Sequence, residues 1–319
     1  MLLNLLLLSI GFIVLIFGAN KLVDAASDLA MRLDVPKIVI GLTIVAFGTS
    51  APELSVNLLA AAKQNSDIAL GNVIGSNILN ILLILGVTAF ITPLSVKSNT
   101  TWNEIPLALL AALLVLASAA DRWLDTSHAA LISRGDGVFF LAFFLIFLAY
   151  NFQLARQGSG EEMDIEAKLY PLPKAILFIL LGLGLLILGG QLIVENAVAL
   201  ARQWGVAERI IGLTIVSIGT SLPELATSVA AARRRSVDLA IGNIVGSNIF
   251  NVFLILGLSA VVTPIPVAPD AMLDILVNIL ASLLLFFFLF TGRGRQLERL
   301  EGGIFLLIYA GYLGFLLFN

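Results

Sequence analysis

Glu53 and Glu224 each sit in the middle of a long apolar stretch, 171 residues apart. Each directly follows a proline, in Gly48-Thr49-Ser50-Ala51-Pro52-Glu53 and Gly219-Thr220-Ser221-Leu222-Pro223-Glu224. At the same offset stand two polar trios, Asn72, Ser76 and Asn80, and Asn243, Ser247 and Asn251. Their i, i+4, i+8 spacing places each trio on one stripe of a helix. Converging groups would be two carboxylates, the hydroxyls of Thr49, Ser50, Thr220, Ser221, Ser76 and Ser247, the amides of Asn80 and Asn251, and carbonyls freed at the prolines. All are hard oxygen donors. The chain has no Cys and a single His, His128. Such a set selects sodium, calcium or similar hard ions over zinc, copper or iron. Two glutamates neutralise one Ca²⁺ or two Na⁺, so a site neutral with either load could exchange one for the other.

A proline lacks the N–H and clashes with the carbonyl four residues back. Pro52 therefore frees Gly48, and Pro223 frees Gly219. Ser50-x-x-Glu53 and Ser221-x-x-Glu224 also read as capping boxes that restart a helix. Capping alone does not explain the location, because a carboxylate at the centre of a membrane helix costs about 2.5–3.5 kcal/mol on insertion scales. Gly71 with Gly75, and Gly242 with Gly246, form small-residue ridges that suit helix packing as well as function. Asn77 and Asn248 lie about 100° round the helix from Ser76 and Ser247. They read as support for the site or as packing.

The elements carrying these groups are set by composition. Of 319 residues, 59% are hydrophobic and 12% charged, with a mean hydropathy of +1.04. A soluble domain carries about 25% charged residues. Half that charge excludes a soluble enzyme or binding module. A net charge of −3 without a basic face disfavours nucleic acid. Ten segments reach the roughly 20 apolar residues of a membrane helix. They lie near 2–23, 37–62, 68–91, 103–120, 136–153, 173–200, 208–232, 239–263, 271–291 and 301–318. The first has no basic region ahead of it and reads as a membrane helix, not a signal peptide. Backbone in lipid must satisfy its own hydrogen bonds, so the expected fold is an all-α polytopic bundle. With the N-terminus outside, 13 Lys and Arg fall in inner loops and 5 in outer ones. The positive-inside rule then places both termini outside. The longest loop, 154–172, carries Glu161, Glu162, Asp164 and Glu166 and reads as a cytoplasmic linker, with a calcium-sensing loop as the alternative.

The offset of 171 is an internal repeat. GLTIVAFGTSAPEL (41–54) returns as GLTIVSIGTSLPEL (212–225), and GNVIGSNILN (71–80) as GNIVGSNIFN (242–251). Without a gap, 26 of the 46 pairs from 41–86 against 212–257 are identical, which chance does not produce. The second copy begins five spans after the first. Five is odd, so the copies are expected to insert with opposite orientation: 1–153 as one five-helix repeat, 173–319 as its inverted partner. Inverted repeats build carriers, with substrate held near the midplane where the copies meet.

At these segments the sequence resembles the cation/calcium exchanger superfamily, and within it the prokaryotic sodium/calcium exchangers. The resemblance covers 41–86 and 212–257 closely, as the two α-repeats of that family. It implies a static core of broken spans two and seven packed with three and eight, along which spans one and six slide. It implies Glu53 and Glu224 as central ligands, completed by Thr49, Ser50, Thr220, Ser221, Ser76 and Ser247. Asn80 and Asn251 would face the centre, and the carbonyls of Ala46 and Ser217 would add ligands. Many relatives carry an Asp at one of the positions matching Asn80 and Asn251. Both are Asn here, which removes one acid and bears on potassium use and stoichiometry.

The expected activity is Na⁺/Ca²⁺ antiport across the cytoplasmic membrane, extruding calcium, with no cofactor and no enzymatic step. The partners would be inorganic cations and the bilayer, and the chain a monomer or weak homo-oligomer. Ca²⁺/H⁺ antiport is the runner-up. A cation channel has no need of inverted gates. An intramembrane hydrolase would lack a His partner or an activating metal. Asp67 and Asp238 read as helix N-caps or ion funnels, and Asp24 and Glu195 as interfacial residues or parts of an access path. His128 reads as a surface residue, and Trp102, Trp123 and Trp204 as interfacial anchors.

Overall fold

Apolar runs without interior charge form long helices, and the charges and prolines between them mark the turns. The computed structural model describes residues 1–62, 66–120, 130–158, 170–205, 217–268, 271–291 and 294–318, with the side chains of 66–68, 217 and 318 excepted. The helices are α1 (Leu2–Arg32), α2 (Lys37–Thr49), α3 (Ala51–Ala62), α4 (Ala69–Ile91), α5 (Thr100–Ala119), α6 (Arg134–Arg156), α7 (Leu172–Gln203), α8 (Ser217–Thr220), α9 (Leu222–Arg233), α10 (Val237–Val262), α11 (Ala271–Phe288) and α12 (Arg299–Leu317). Among the described residues, eight helices are long and apolar enough to cross a membrane. The number is nine if α2 and α3, bent by 49° at Ser50, form one span. The expected seventh span begins outside the described residues, as do Lys63, Trp123, His128 and the acidic part of the 154–172 loop. Asp67 lies among the residues whose side chains are not described.

α1 and α7 outrun the expected spans by several residues. A helix of 31 residues is about 46 Å long, against about 30 Å of hydrocarbon. Each therefore tilts or projects beyond the lipid. The two pack together antiparallel through glycines. A Cβ at Gly189 would come within 2.7 Å of the Leu15 amide nitrogen, and one at Gly18 within 3.0 Å of the Gly182 carbonyl. Gly189→Leu is therefore expected to force the pair apart. Overpacking of this kind costs about 1–3 kcal/mol, visible as a lowered midpoint in thermal unfolding of the detergent-solubilised chain. An unchanged midpoint would mean the helices are not in close contact.

The helices end where the chain chemistry requires. Thr92 and Thr263, ahead of Pro93 and Pro264, leave α4 and α10 in extended conformations with φ −139° and −142°. A residue before proline is pushed out of the α region. The next residues form short strands. β1 (Leu94–Ser95) pairs antiparallel with β4 (Gln296–Leu297), and β2 (Leu131–Ile132) with β3 (Ile265–Pro266). β1 and β3 are repeat mates at the 171 offset. Each thus pairs with the strand that precedes the last helix of the other half. α6 starts at a capping box, in which Ser133 and Asp136 satisfy each other's backbone N–H.

The core is centred on α4 and α10, the most buried of the long apolar helices. α10 packs on α2 at close range through Gly242 and Gly246: a Cβ at Gly242 would meet the Ile38 carbonyl at 2.8 Å. The ridge expected from 242 and 246 thus serves packing. Trp102 and Trp204 lie exposed at helix ends, as anchors would.

Candidate functional site

Two single-residue turns, at Ser50 and Ser221, interrupt the repeat helices one residue before α3 and α9. α3 and α9 then begin with Ala51-Pro52-Glu53 and Leu222-Pro223-Glu224 in their first turns. Proline is well placed there, since its missing N–H would have no intrahelical partner anyway. Both glutamates point inward, each about 1% exposed.

The hydroxyls of the two turns reach across from one repeat to the other. Ser221 makes no side-chain cap bond and donates to Glu53 Oε1 at 3.2 Å. Ser50 donates to Glu224 Oε1 at 3.0 Å and lies 3.0 Å from the Ser247 hydroxyl. Each repeat's serine therefore holds the other repeat's glutamate, and the capping-box reading is corrected at Ser221. Thr49 donates to Asn243 Oδ1 at 3.0 Å. The Asn243 amide in turn donates to Ser228 Oγ at 2.9 Å and lies 3.4 Å from the Glu224 carbonyl.

Asn80 and Asn251 sit in widened, π-helical stretches of α4 and α10, Leu79–Leu85 and Phe250–Leu256, again related by 171 residues. Such turns concentrate at functional sites. The Asn80 segment packs on α9, and the Asn251 segment on α3. Each amide places its nitrogen on a partner across the repeats: Asn80 Nδ2 on Asn248 Oδ1 and Asn251 Nδ2 on Asn77 Oδ1, both at 2.9 Å. Their oxygens, together with Glu53 Oε2 and Glu224 Oε2, are buried without a hydrogen-bond donor. Buried acceptors without donors are costly and call for an explanation such as an ion. Four such oxygens from the paired helices α3, α9, α4 and α10 supply electron density and no proton, which suits a cation.

The remaining expected residues have the following surroundings. Ser76 is buried at 4% on α4. The Ala46 carbonyl accepts from the Ser50 N–H at 3.0 Å and lies 3.3 Å from the Thr49 hydroxyl, so its lone pairs are engaged within the protein. Thr220 lines a cleft of about 360 Å³ together with Pro52, Pro223, Gly190, Gln191 and Glu195. Ser217 opens α8, and its side chain is not described. Among the described residues no three of His, Cys, Asp and Glu converge.

Sequence reasoning missed Asn57 and Ser228, which accept from Asn72 at 2.8 Å and from Asn243 at 2.9 Å. Their signal was available, since each lies four residues after Glu53 or Glu224 and the two are 171 apart. The matched acids Asp24 and Glu195 behave differently. Asp24 on α1 is ion-paired with Arg234, just beyond α9, whereas Glu195 on α7 lines the cleft beside the broken turns. Asp238, in the first turn of α10, pairs with Lys97 at 2.6 Å.

The chain is similar to known proteins in sequence and in fold. The sequence profile of the family described as "Sodium/calcium exchanger protein" matches residues 3–153 and 174–318. The putative antiporter CaxA of Alkalimonas amylolytica is 40% identical over 318 residues, covering 97% of each chain. The sodium/calcium exchanger MaX1 of Methanosarcina acetivorans is 31% identical over 341 residues, again covering 97% of each. A solved structure of the sodium-calcium exchanger NCX_Mj, soaked with 10 mM Na⁺ and zero Ca²⁺, superposes with a TM-score of 0.83 at 29% identity, covering 98% of both chains. With residues 3–153 and 174–318 matched to the family profile, the chain belongs to the sodium/calcium exchanger protein family.

Proposed function

We propose that the chain is a secondary antiporter that exchanges Na⁺ for Ca²⁺ across the cytoplasmic membrane by alternating access, using the inward sodium gradient to extrude calcium. The observation that carries this reading is the set of four buried, donorless oxygens on Glu53, Glu224, Asn80 and Asn251. Thr49, Ser50, Thr220, Ser221, Ser76 and Ser247, with the carbonyls of Ala46 and Ser217, complete the coordination. In Ca²⁺ or Na⁺ coordination each would turn an oxygen lone pair toward the ion. Two carboxylates match one Ca²⁺ or two Na⁺, and binding one load excludes the other.

The architecture proposed is ten spans in two inverted five-helix repeats, 1–153 and 173–319, joined by the cytoplasmic linker 154–172, with both termini outside. The exchange of strand partners between halves, β1 with β4 and β3 with β2, supports a two-fold relation. α1 and α7 slide across the core. The cleft reaches Pro52 and Pro223 from the Glu195 end, while the Asp24 end carries the Asp24–Arg234 pair. Both halves of the site lie in one chain, so a monomer suffices.

Because the chain has no Cys, single cysteines report access cleanly. Val23, beside Asp24, is 1% exposed. Arg234→Gln is expected to raise the labelling rate of Val23→Cys by a membrane-impermeant maleimide several-fold, as α1 is released. An unchanged rate removes the ion pair from the gating reading.

Ca²⁺/H⁺ antiport is the second reading, since the unpartnered carboxylate oxygens of Glu53 and Glu224 could each take a proton. Proteoliposomes separate the two. Calcium flux driven by a sodium gradient at equal pH on both sides supports the first. Flux that needs a pH gradient and ignores sodium replaces it with the second.

A further inference from the structure

Asn77 and Asn248 fall outside the proposed ligand set, yet they make a fully reciprocal contact across the repeats. They are repeat mates, 171 residues apart, and are buried at 3% and 4%. The Oδ1 of Asn248 accepts from Asn80 Nδ2, and the Oδ1 of Asn77 accepts from Asn251 Nδ2, each at 2.9 Å. Their own amide nitrogens cross in the same way: Asn77 Nδ2 reaches the Asn248 carbonyl at 3.2 Å, and Asn248 Nδ2 lies 3.5 Å from the Asn77 carbonyl. Four amides thus form a closed clasp between α4 and α10, with every link crossing from one repeat to the other.

The clasp decides which end of Asn80 and Asn251 is left over. A primary amide presents an acceptor on one side and two donors on the other. Turned over, Asn80 would set its oxygen against Asn248 Oδ1, with two buried acceptors facing and no proton between them. It would also aim an NH₂ where its oxygen now lies buried and unpartnered. Buried acceptor pairs of that kind are strongly disfavoured.

We propose that Asn77 and Asn248 are positioning residues, which hold the Asn251 and Asn80 side-chain oxygens toward the bound cation and keep its cage free of donors. This rests on the cation-site reading above. The pairing is specific: Asn248 acts through Asn80, and Asn77 through Asn251.

The test is a mutant cycle read by equilibrium ⁴⁵Ca²⁺ binding to the purified full chain in detergent. Residues that act through one another give non-additive effects. Asn248→Leu removes the acceptor at similar size and is expected to weaken Ca²⁺ binding about tenfold. In an Asn80→Ala background the same change is expected to cost less than twofold, because the amide it orients is gone. In an Asn251→Ala background it is expected to cost about tenfold again. A purely structural role gives one factor in all three backgrounds and overturns the proposal, as does wild-type affinity in Asn248→Leu. If Asn248→Leu does not fold, Asn248→Ser, which withdraws the acceptor from reach, is read in the same cycle. Wild-type chain that binds neither Ca²⁺ nor Na⁺ overturns the cation-site reading itself, an outcome distinct from any in the cycle.

Discussion

Replacing either Glu53 or Glu224 by Gln is expected to abolish Ca²⁺ exchange while leaving a folded protein. Gln keeps the size and one carbonyl oxygen, so Ser221 and Ser50 retain an acceptor for the bonds they now make at 3.2 and 3.0 Å. What is lost is charge. A unit charge about 4 Å from a cation, at an effective dielectric constant near 20, contributes about 4 kcal/mol per unit of cation charge. Half of the loss expected for a divalent ion already lowers affinity by about three orders of magnitude. The apo protein should not suffer, because a buried carboxylate without a counter-ion destabilises its surroundings. Two measurements check this. Sodium-driven ⁴⁵Ca²⁺ flux in proteoliposomes should fall to background for each variant. Thermal unfolding without calcium should match or exceed wild type, and the stabilisation that added Ca²⁺ gives the wild type should vanish. Exchange retained by either variant would overturn the assignment of the central ligands.

The parts of this site legible in sequence were those that local chemistry writes twice. The glutamates stood out because the chain has so few charges, and the 171-residue offset tied each polar group to a mate. The prolines located the interruptions at Ser50 and Ser221, where turns are found. Three features were not legible, each for a physical reason. The serines read as caps because a capping box is a four-residue pattern. The bonds formed cross 168 and 174 residues of chain, and only tertiary packing brings them together. The π-helical widening at Leu79–Leu85 and Phe250–Leu256 leaves no mark in apolar periodicity, since both stretches are apolar on all sides except for Asn80 and Asn251. α1 and α7 overran their expected ends because apolar windows stop ahead of charges such as Asp24 and Arg202, while helices continue through them once part of the turn has left the lipid. The roles of Asn77 and Asn248 were ambiguous for a related reason: position on a helix gives direction, and here the partner across the interface decides the function.

Asn251→Asp is expected to make exchange depend on pH in a way the amide cannot. Protonated, the new acid resembles the asparagine it replaces. Its O–H donates to Asn77 Oδ1 in place of the 2.9 Å amide bond, and its other oxygen takes the place of the donorless Oδ1. Ionised, it sets an acceptor against Asn77 Oδ1 and adds a third negative charge to a centre that two carboxylates balance against one Ca²⁺ or two Na⁺. The loaded site then carries a net charge of −1. Moving a net charge through the bilayer interior is costly, and a third acid also holds Ca²⁺ more tightly and slows its release. The sign follows. At low pH the variant should transport like the wild type. As pH rises through the titration of the new carboxyl, turnover should fall by about tenfold, which corresponds to only about 1.4 kcal/mol, while apparent Ca²⁺ affinity rises. The opposed movement of turnover and affinity is the discriminating readout, since a variant that merely packs badly loses both together at every pH. The measurement is sodium-driven ⁴⁵Ca²⁺ flux at several Ca²⁺ concentrations between about pH 6 and pH 9, a range that covers the raised titration of a buried carboxyl. A variant whose turnover and affinity both ignore pH would place Asn251 away from the ion, and with it one of the four oxygens on which the proposed site is built.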